Sequence, residues 1–95
     1  MTAVLYLPAA VDDFDRLADF LRELFSKESQ KTASLILDAI STLERHPLIG
    51  RPIEHGLREL VISRGESGYI CLYQFFEQPD EILILRIRHQ REAGF

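Results

Sequence analysis

Apolar residues recur at three- and four-residue spacing before Gly50 and alternate at every second position after it, so the chain changes from helical to strand-like patterning midway. Ala-Val-Leu-Tyr-Leu at residues 3–7 is short, apolar and closed by Pro8, which holds Leu7 extended; this predicts a strand. From about Ala9, the residues Phe14, Leu17, Ala18, Leu21, Leu24 and Phe25 form one stripe, with Asp13, Asp15, Asp19, Arg22 and Glu23 elsewhere on the cylinder. The pattern predicts an amphipathic helix to about Ser26, with Asp12 and Asp13 at the positive end of its dipole.

The polar stretch SKESQK reads as a linker. Ser29 is then the candidate N-cap of another helix, whose stripe is Ala33, Ile36, Leu37, Ile40 and Leu43 and which stops near His46 because Pro47 follows. A linker this short makes the helices an antiparallel hairpin. Pro47, Gly50, Pro52 and Gly56 mark an irregular connector.

Three β-rich runs follow, Leu57 to Ile62, Tyr69 to Phe76 and Ile82 to His89, with SRGESG and EQPDE as hairpin connections. The fold class is therefore α+β, one domain over residues 1–95: an N-terminal strand, a two-helix hairpin and a three-stranded antiparallel meander. Strict alternation in the last strand places Leu83, Leu85, Ile87 and His89 under the helices, with Ile82, Ile84, Arg86 and Arg88 on the other face.

Charge refines this picture. Against 11 Lys plus Arg stand 15 Asp plus Glu, a net −4 that argues against a generic polyanion binder, so any anion site must be local. The single cysteine, Cys71, can form neither an internal disulfide nor a multi-cysteine zinc site, which points to a reducing compartment, the cytoplasm by default. The apolar start lacks a basic flank and runs into Asp12 and Asp13, unlike a secretory signal, and no apolar run reaches the roughly 18 residues of a membrane span.

Arg58, Arg86, Arg88, His89 and Arg91 form the one cluster with chemical promise, because guanidinium forks grip phosphate or carboxylate and a histidine exchanges protons near neutrality. The alternative is that these arginines pair with Glu59, Glu77 or Glu92 across neighbouring strands. Tyr69 and Tyr73 share a phase suited to stacking on a base, although core positions suit them better. His46, His55 and His89 have no metal-ligand spacing, so no metal and no cofactor is expected. Cys71, mid-strand among apolar residues, reads as inert packing.

LPAAVDDF, LERHPLIGRPIEHGLREL and ILRIRHQREAGF, in this order and spacing, resemble the opening, connector and closing strand of the RelE/ParE superfamily of type II toxin–antitoxin toxins. The resemblance implies one of two activities, both neutralised by an antitoxin: RelE-like members cut mRNA in the ribosomal A site, and ParE-like members poison DNA gyrase. In RelE- and YoeB-like nucleases the third strand carries a catalytic arginine; in the matching stretch Tyr69-Ile70-Cys71-Leu72-Tyr73, Ile70 stands at its place. An apolar side chain cannot stabilise charge building on a phosphate. Lys27 and Lys31, the only lysines, fall in the helical half.

The resemblance thus implies a ParE-like gyrase inhibitor that hydrolyses nothing, with Arg58, Arg86, Arg88, His89 and Arg91 contacting the target. Phe14, Leu17, Leu21 and Leu37 would meet a ParD-like antitoxin, and DNA would be bound only through the antitoxin complex. The alternatives are a divergent RelE-like ribosome-dependent endoribonuclease using Arg58, Arg88, His89 and Arg91, and a non-toxic interaction module.

Overall fold

A computed structural model describes residues 2–24, 26–64 and 67–90. Its order is β1 (Ala3–Tyr6), α1 (Pro8–Leu24), α2 (Ser26–Ser41), a 3₁₀ turn (Thr42–Glu44), β2 (Arg51–Pro52), a second 3₁₀ turn (Glu54–Gly56), β3 (Leu57–Arg64), β4 (Ser67–Phe76) and β5 (Glu81–His89). Pro8 opens α1, where its missing N–H costs nothing, and the Leu7 carbonyl accepts the amides of Ala10 and Val11 at 2.9 and 3.1 Å.

The expected linker is helical. α2 begins at Ser26, so SKESQK is part of it and Ser29 lies inside the helix rather than at its cap. Lys, Glu and Gln are strong helix formers, and no Gly or Pro interrupts them. The regular helix also stops earlier than His46. The Ser41 and Thr42 hydroxyls donate to the carbonyls of Asp38 and Ala39 at 2.7 and 2.6 Å, satisfying groups that a helix end leaves open.

The sheet has five strands in the order β1-β5-β4-β3-β2. The meander β3-β4-β5 is antiparallel as expected, β1 adds to β5 in parallel, and the two-residue β2 pairs with β3, a strand the patterning did not reveal. The helices pack on one face. Ala10, Leu17, Ile36, Ile40 and Leu43 meet Leu60, Ile62, Tyr69, Cys71, Tyr73, Ile82, Ile84 and Ile87 in one core. Thr2 ties the start of the chain to the β4–β5 turn, its hydroxyl donating to Asp80 Oδ1 at 2.7 Å.

The alternation expected for β5 is broken. Leu72 lies opposite Arg86, but Tyr73 lies opposite Ile84, so Leu85 is an extra residue, a β-bulge. One inserted residue reverses the phase. Ile82 and Ile84 are therefore buried with Ile87, whereas Leu83 and Leu85, expected under the helices, are half-buried on the other side of the phase break.

Candidate functional site

The connector is held by two strand residues. Tyr73, at the centre of β4 and fully buried, donates its hydroxyl to the Pro47 carbonyl at 2.8 Å and accepts the Gly50 amide at 2.9 Å. Burial raises the Tyr73 phenol above its ordinary value, opposed only in part by the Gly50 amide and the Arg58 charge, so the donor proton stays in place near neutral pH. A Cβ at position 50 would stand 2.6 Å from Tyr73 Cε1 and Oη, so only glycine fits. Arg58, directly opposite Tyr73, donates Nη1 to the carbonyls of Leu48 and Gly50 at 3.1 and 2.8 Å. Its guanidinium, expected to face a target, is engaged with the connector, whose residues His46 to Ile49 line a shallow recess of about 330 Å³.

Arg86 is engaged too. Its Nε and Nη2 grip Asp13 Oδ2 and Oδ1 at 2.6 and 3.0 Å, and the amide of Ile87, just past the bulge, also donates to Oδ2 at 3.0 Å. β1 pairs only with residues 81–84 of β5, so this amide lies on an edge that no strand covers, and Asp13 of α1 caps it. Asp13 is only 5% exposed. Burial raises its pKa, but the Arg86 and Ile87 hydrogen bonds and the charges of Arg86 and Arg16 outweigh that and hold the carboxyl below its ordinary value.

The sequence pattern set Asp13 off the apolar stripe and at the helix dipole; α1 starts at Pro8, so its first turn holds no acidic residue, and Asp13 faces the sheet instead. Its signal was position: Asp13 lies on the stripe of Ala10, Phe14 and Leu17, where a carboxylate needs a partner.

The other candidates separate. Arg88 lies opposite Ile70, on the face away from the helices, and donates Nη1 to the carbonyls of His89 and Gln90, both at 3.2 Å. His89 lies opposite Tyr69 on the helix side, its ring edge-on to the tyrosine with centroids 5.3 Å apart. Arg91 lies outside the described residues. Arg58, Arg86, Arg88 and His89 therefore do not converge on one reacting centre; alternation and the bulge divide them among the connector, the α1 side and both sheet faces. Glu59, proposed as a partner for these arginines, instead pairs with Arg51 at 2.5 Å.

Of the apolar residues expected to meet an antitoxin, Leu17 is 5% exposed and belongs to the core, a correction that its contact with the sheet explains. Phe14 is half-buried against that core, and the side chain of Leu21 lies outside the described residues. Leu37 is exposed, as is Val11, which the stripe analysis passed over. Cys71 is buried, its thiol pushed up to about 12 by desolvation, which removes the thiolate that reactivity needs. Among the described residues no His, Cys, Asp and Glu group could hold a metal ion, and no helix is long and apolar enough to cross a membrane.

Residues 4–94 match the family described as the ParE toxin of type II toxin–antitoxin system, parDE. The chain is 33% identical over 92 residues to a protein named Toxin RelE3 of Caulobacter vibrioides, covering 97% of this chain and 98% of that one. Among solved structures it resembles the chromosomal ParDE toxin–antitoxin system from P. aeruginosa, with TM-score 0.75, 25% identity, and 92% and 94% of the two chains covered. The toxin–antitoxin complex RelBE2 of Mycobacterium tuberculosis gives TM-score 0.62 at 24% identity over 94% and 98% of the chains. The intact E. coli RelBE complex gives 0.62 at 13% over 100% of both, and these last two are likenesses of fold.

Proposed function

The chain belongs to the family of ParE toxins of type II toxin–antitoxin systems, and from that premise we propose that it arrests growth by poisoning DNA gyrase, hydrolysing nothing itself, until a ParD-like antitoxin neutralises it. The observation that carries this reading is Ile70. By its resemblance to the third-strand pattern of the RelE-like nucleases it takes the arginine's place, and it lies within β4 directly opposite Arg88, so at this pair of positions an apolar side chain faces a guanidinium. An isoleucine at position 70 supplies no positive charge to stabilise the charge that develops on a cleaving phosphate. Arg58 and Arg86 add nothing there, since carbonyls of the connector and Asp13 hold them. The antitoxin is assigned to the outer helical surface, where Val11 and Leu37 are exposed and Phe14 is half-buried. Gyrase as a target places the protein in the cytoplasm.

A second reading, a RelE-like ribosome-dependent endoribonuclease acting through Arg88 and His89, is favoured by the name of the Caulobacter relative. A paired assay separates the two. The purified chain is added to a gyrase supercoiling and cleavage reaction and, in parallel, to programmed ribosomes carrying mRNA in the A site. Gyrase inhibition with intact mRNA sustains the first reading. Codon-positioned cleavage with untouched gyrase, abolished in Arg88→Ala, replaces it with the second.

A further inference from the structure

We propose that residues 47–50 form a preformed docking tip that inserts Leu48 and Ile49 into an apolar cleft of the target protein; only the identity of that target, gyrase, rests on the reading above. Leu48 and Ile49 are adjacent and 56% and 52% exposed, more than any other large apolar residue described. Scattered exposed leucines are ordinary, but here the backbone beneath the pair is fixed at every residue. The Pro47 carbonyl accepts Tyr73 Oη, the Leu48 carbonyl accepts Arg58, the Ile49 amide donates to the His46 carbonyl at 3.3 Å, and Gly50 is bound through both its amide and its carbonyl.

A buried tyrosine, an arginine and an obligatory glycine thus hold rigid a loop whose own apolar side chains face water. Rigidity of this kind lowers the entropy lost when such a tip is buried in a partner. Two aliphatic side chains can neither stack on a base nor hydrogen-bond a phosphate, so the tip itself suits an apolar protein cleft. Its flanks define the rim of that cleft. Arg45 and Arg51 are exposed on either side, and no acidic residue occurs from position 45 to 53 in a chain of net charge −4. Arg51 shares its charge with Glu59, while Arg45 and the Arg58 guanidinium beneath the loop carry positive charge beside the tip. The fitting partner surface is an apolar cleft edged by carboxylates.

The test compares the wild-type chain with Leu48→Ser/Ile49→Ser and with Leu48→Met/Ile49→Met, scoring thermal midpoint, gyrase supercoiling inhibition and growth arrest on induced expression. The serine variant should melt with the wild type yet inhibit gyrase roughly thirtyfold less, as expected when a central apolar anchor is removed. The methionine variant should retain inhibition. Equal inhibition by wild type and a folded serine variant overturns the docking tip and leaves the gyrase reading standing. If the wild type spares gyrase but arrests growth, the gyrase reading fails; the tip then stands only if the folded serine variant no longer arrests growth. A wild type without effect on gyrase or growth overturns both. Should the double variant not fold, Leu48→Ser and Ile49→Ser singly are scored by the same criteria.

Discussion

Arg58 in β3 and Arg86 in β5 flank the central strand β4, and each fastens a different part of the chain to the sheet. Arg58 works with the Tyr73 hydroxyl on neutral backbone groups, the carbonyls of Pro47, Leu48 and Gly50 and the amide of Gly50. Arg86 works on a carboxylate, and Asp13 in turn closes the amide that the bulge leaves open. The first region is a lock made mostly of dipoles around a buried ring. The second is an ion pair whose arginine side chain is 44% exposed while its carboxylate is buried. The difference teaches that two arginines identical in sequence terms can stabilise by distinct physics, with distinct responses to truncation and to acid.

The strongest way to break the connector lock is Tyr73→Ala. It removes a fully buried ring and strands the Gly50 amide and Pro47 carbonyl together. Loss of the ring alone should cost about 4 kcal/mol, judged from other large-to-alanine core substitutions. That is a large share of the roughly 5–15 kcal/mol that holds a domain folded. Urea unfolding should show a much lower midpoint. Tyr73→Phe keeps the ring and should cost about 2 kcal/mol, the desolvation penalty of the two orphaned groups.

The latch should be weaker. Breaking a fully buried ion pair costs about 3–5 kcal/mol, but water reaches the arginine here, so about 2 kcal/mol is the expectation for Asp13→Ala. A global loss of that size is compatible with many roles. The specific readout is hydrogen exchange at the Ile87 amide, which should lose its protection relative to the neighbouring β5 amides, because Asp13 Oδ2 is the acceptor it has in the wild type. Retained protection would show that the bulge finds another acceptor and that the carboxylate is dispensable.

Much of this fold could be read locally. The helical stripes, Pro8, Pro47 and the turn segments reflect interactions among residues a few positions apart, and the helices, the connector and the meander follow from them. The partners of Arg58 and Arg86 could not be read that way. Asp13 is 73 positions from Arg86, and nothing near either residue encodes their meeting. The bulge is equally silent: Leu85 resembles its neighbours in composition, yet its insertion reverses the faces of Ile82, Leu83, Ile84 and Leu85 and leaves those of Arg88 and His89 as alternation gives them. The candidate arginines were therefore visible as charges, whereas their dispersal was set by tertiary contacts. The start of α2 failed for a different reason, since a polar run of good helix formers has no apolar stripe to mark it.

Acid should separate the two regions. Asp13 is held below its ordinary value in the folded chain, so it binds a proton more readily once unfolded. Its contribution is fully present above the unfolded carboxyl value, near 3.9, and is lost as pH falls through the lower folded value. The stability gap between wild type and Asp13→Asn should therefore narrow as pH falls below about 4. The gap between wild type and Tyr73→Phe should stay constant over the same window, because the phenol's pKa is raised and lies far from it. Equal narrowing in both variants would trace the acid response to the rest of the chain.

The smallest effect belongs to Arg51→Ala, at the edge strand next to the connector. Arg51 and Glu59 meet at 2.5 Å, closer than the 2.6 Å of Arg86 and Asp13, and distance alone would rank this pair first. Solvent reverses that ranking. The Arg51 side chain is 73% exposed, so water screens the attraction and ordering the long side chain offsets much of what remains. The Glu59 side chain is 13% exposed, so its carboxylate keeps a path to water once the arginine is removed. Arg51→Ala should accordingly change unfolding stability by no more than about 0.5 kcal/mol, with the remainder of any salt dependence disappearing alongside it. A loss comparable to that of Asp13→Ala would mean that β2 and the connector rely on this pair, and that the lock of Tyr73 and Arg58 does not hold residues 47–50 on its own.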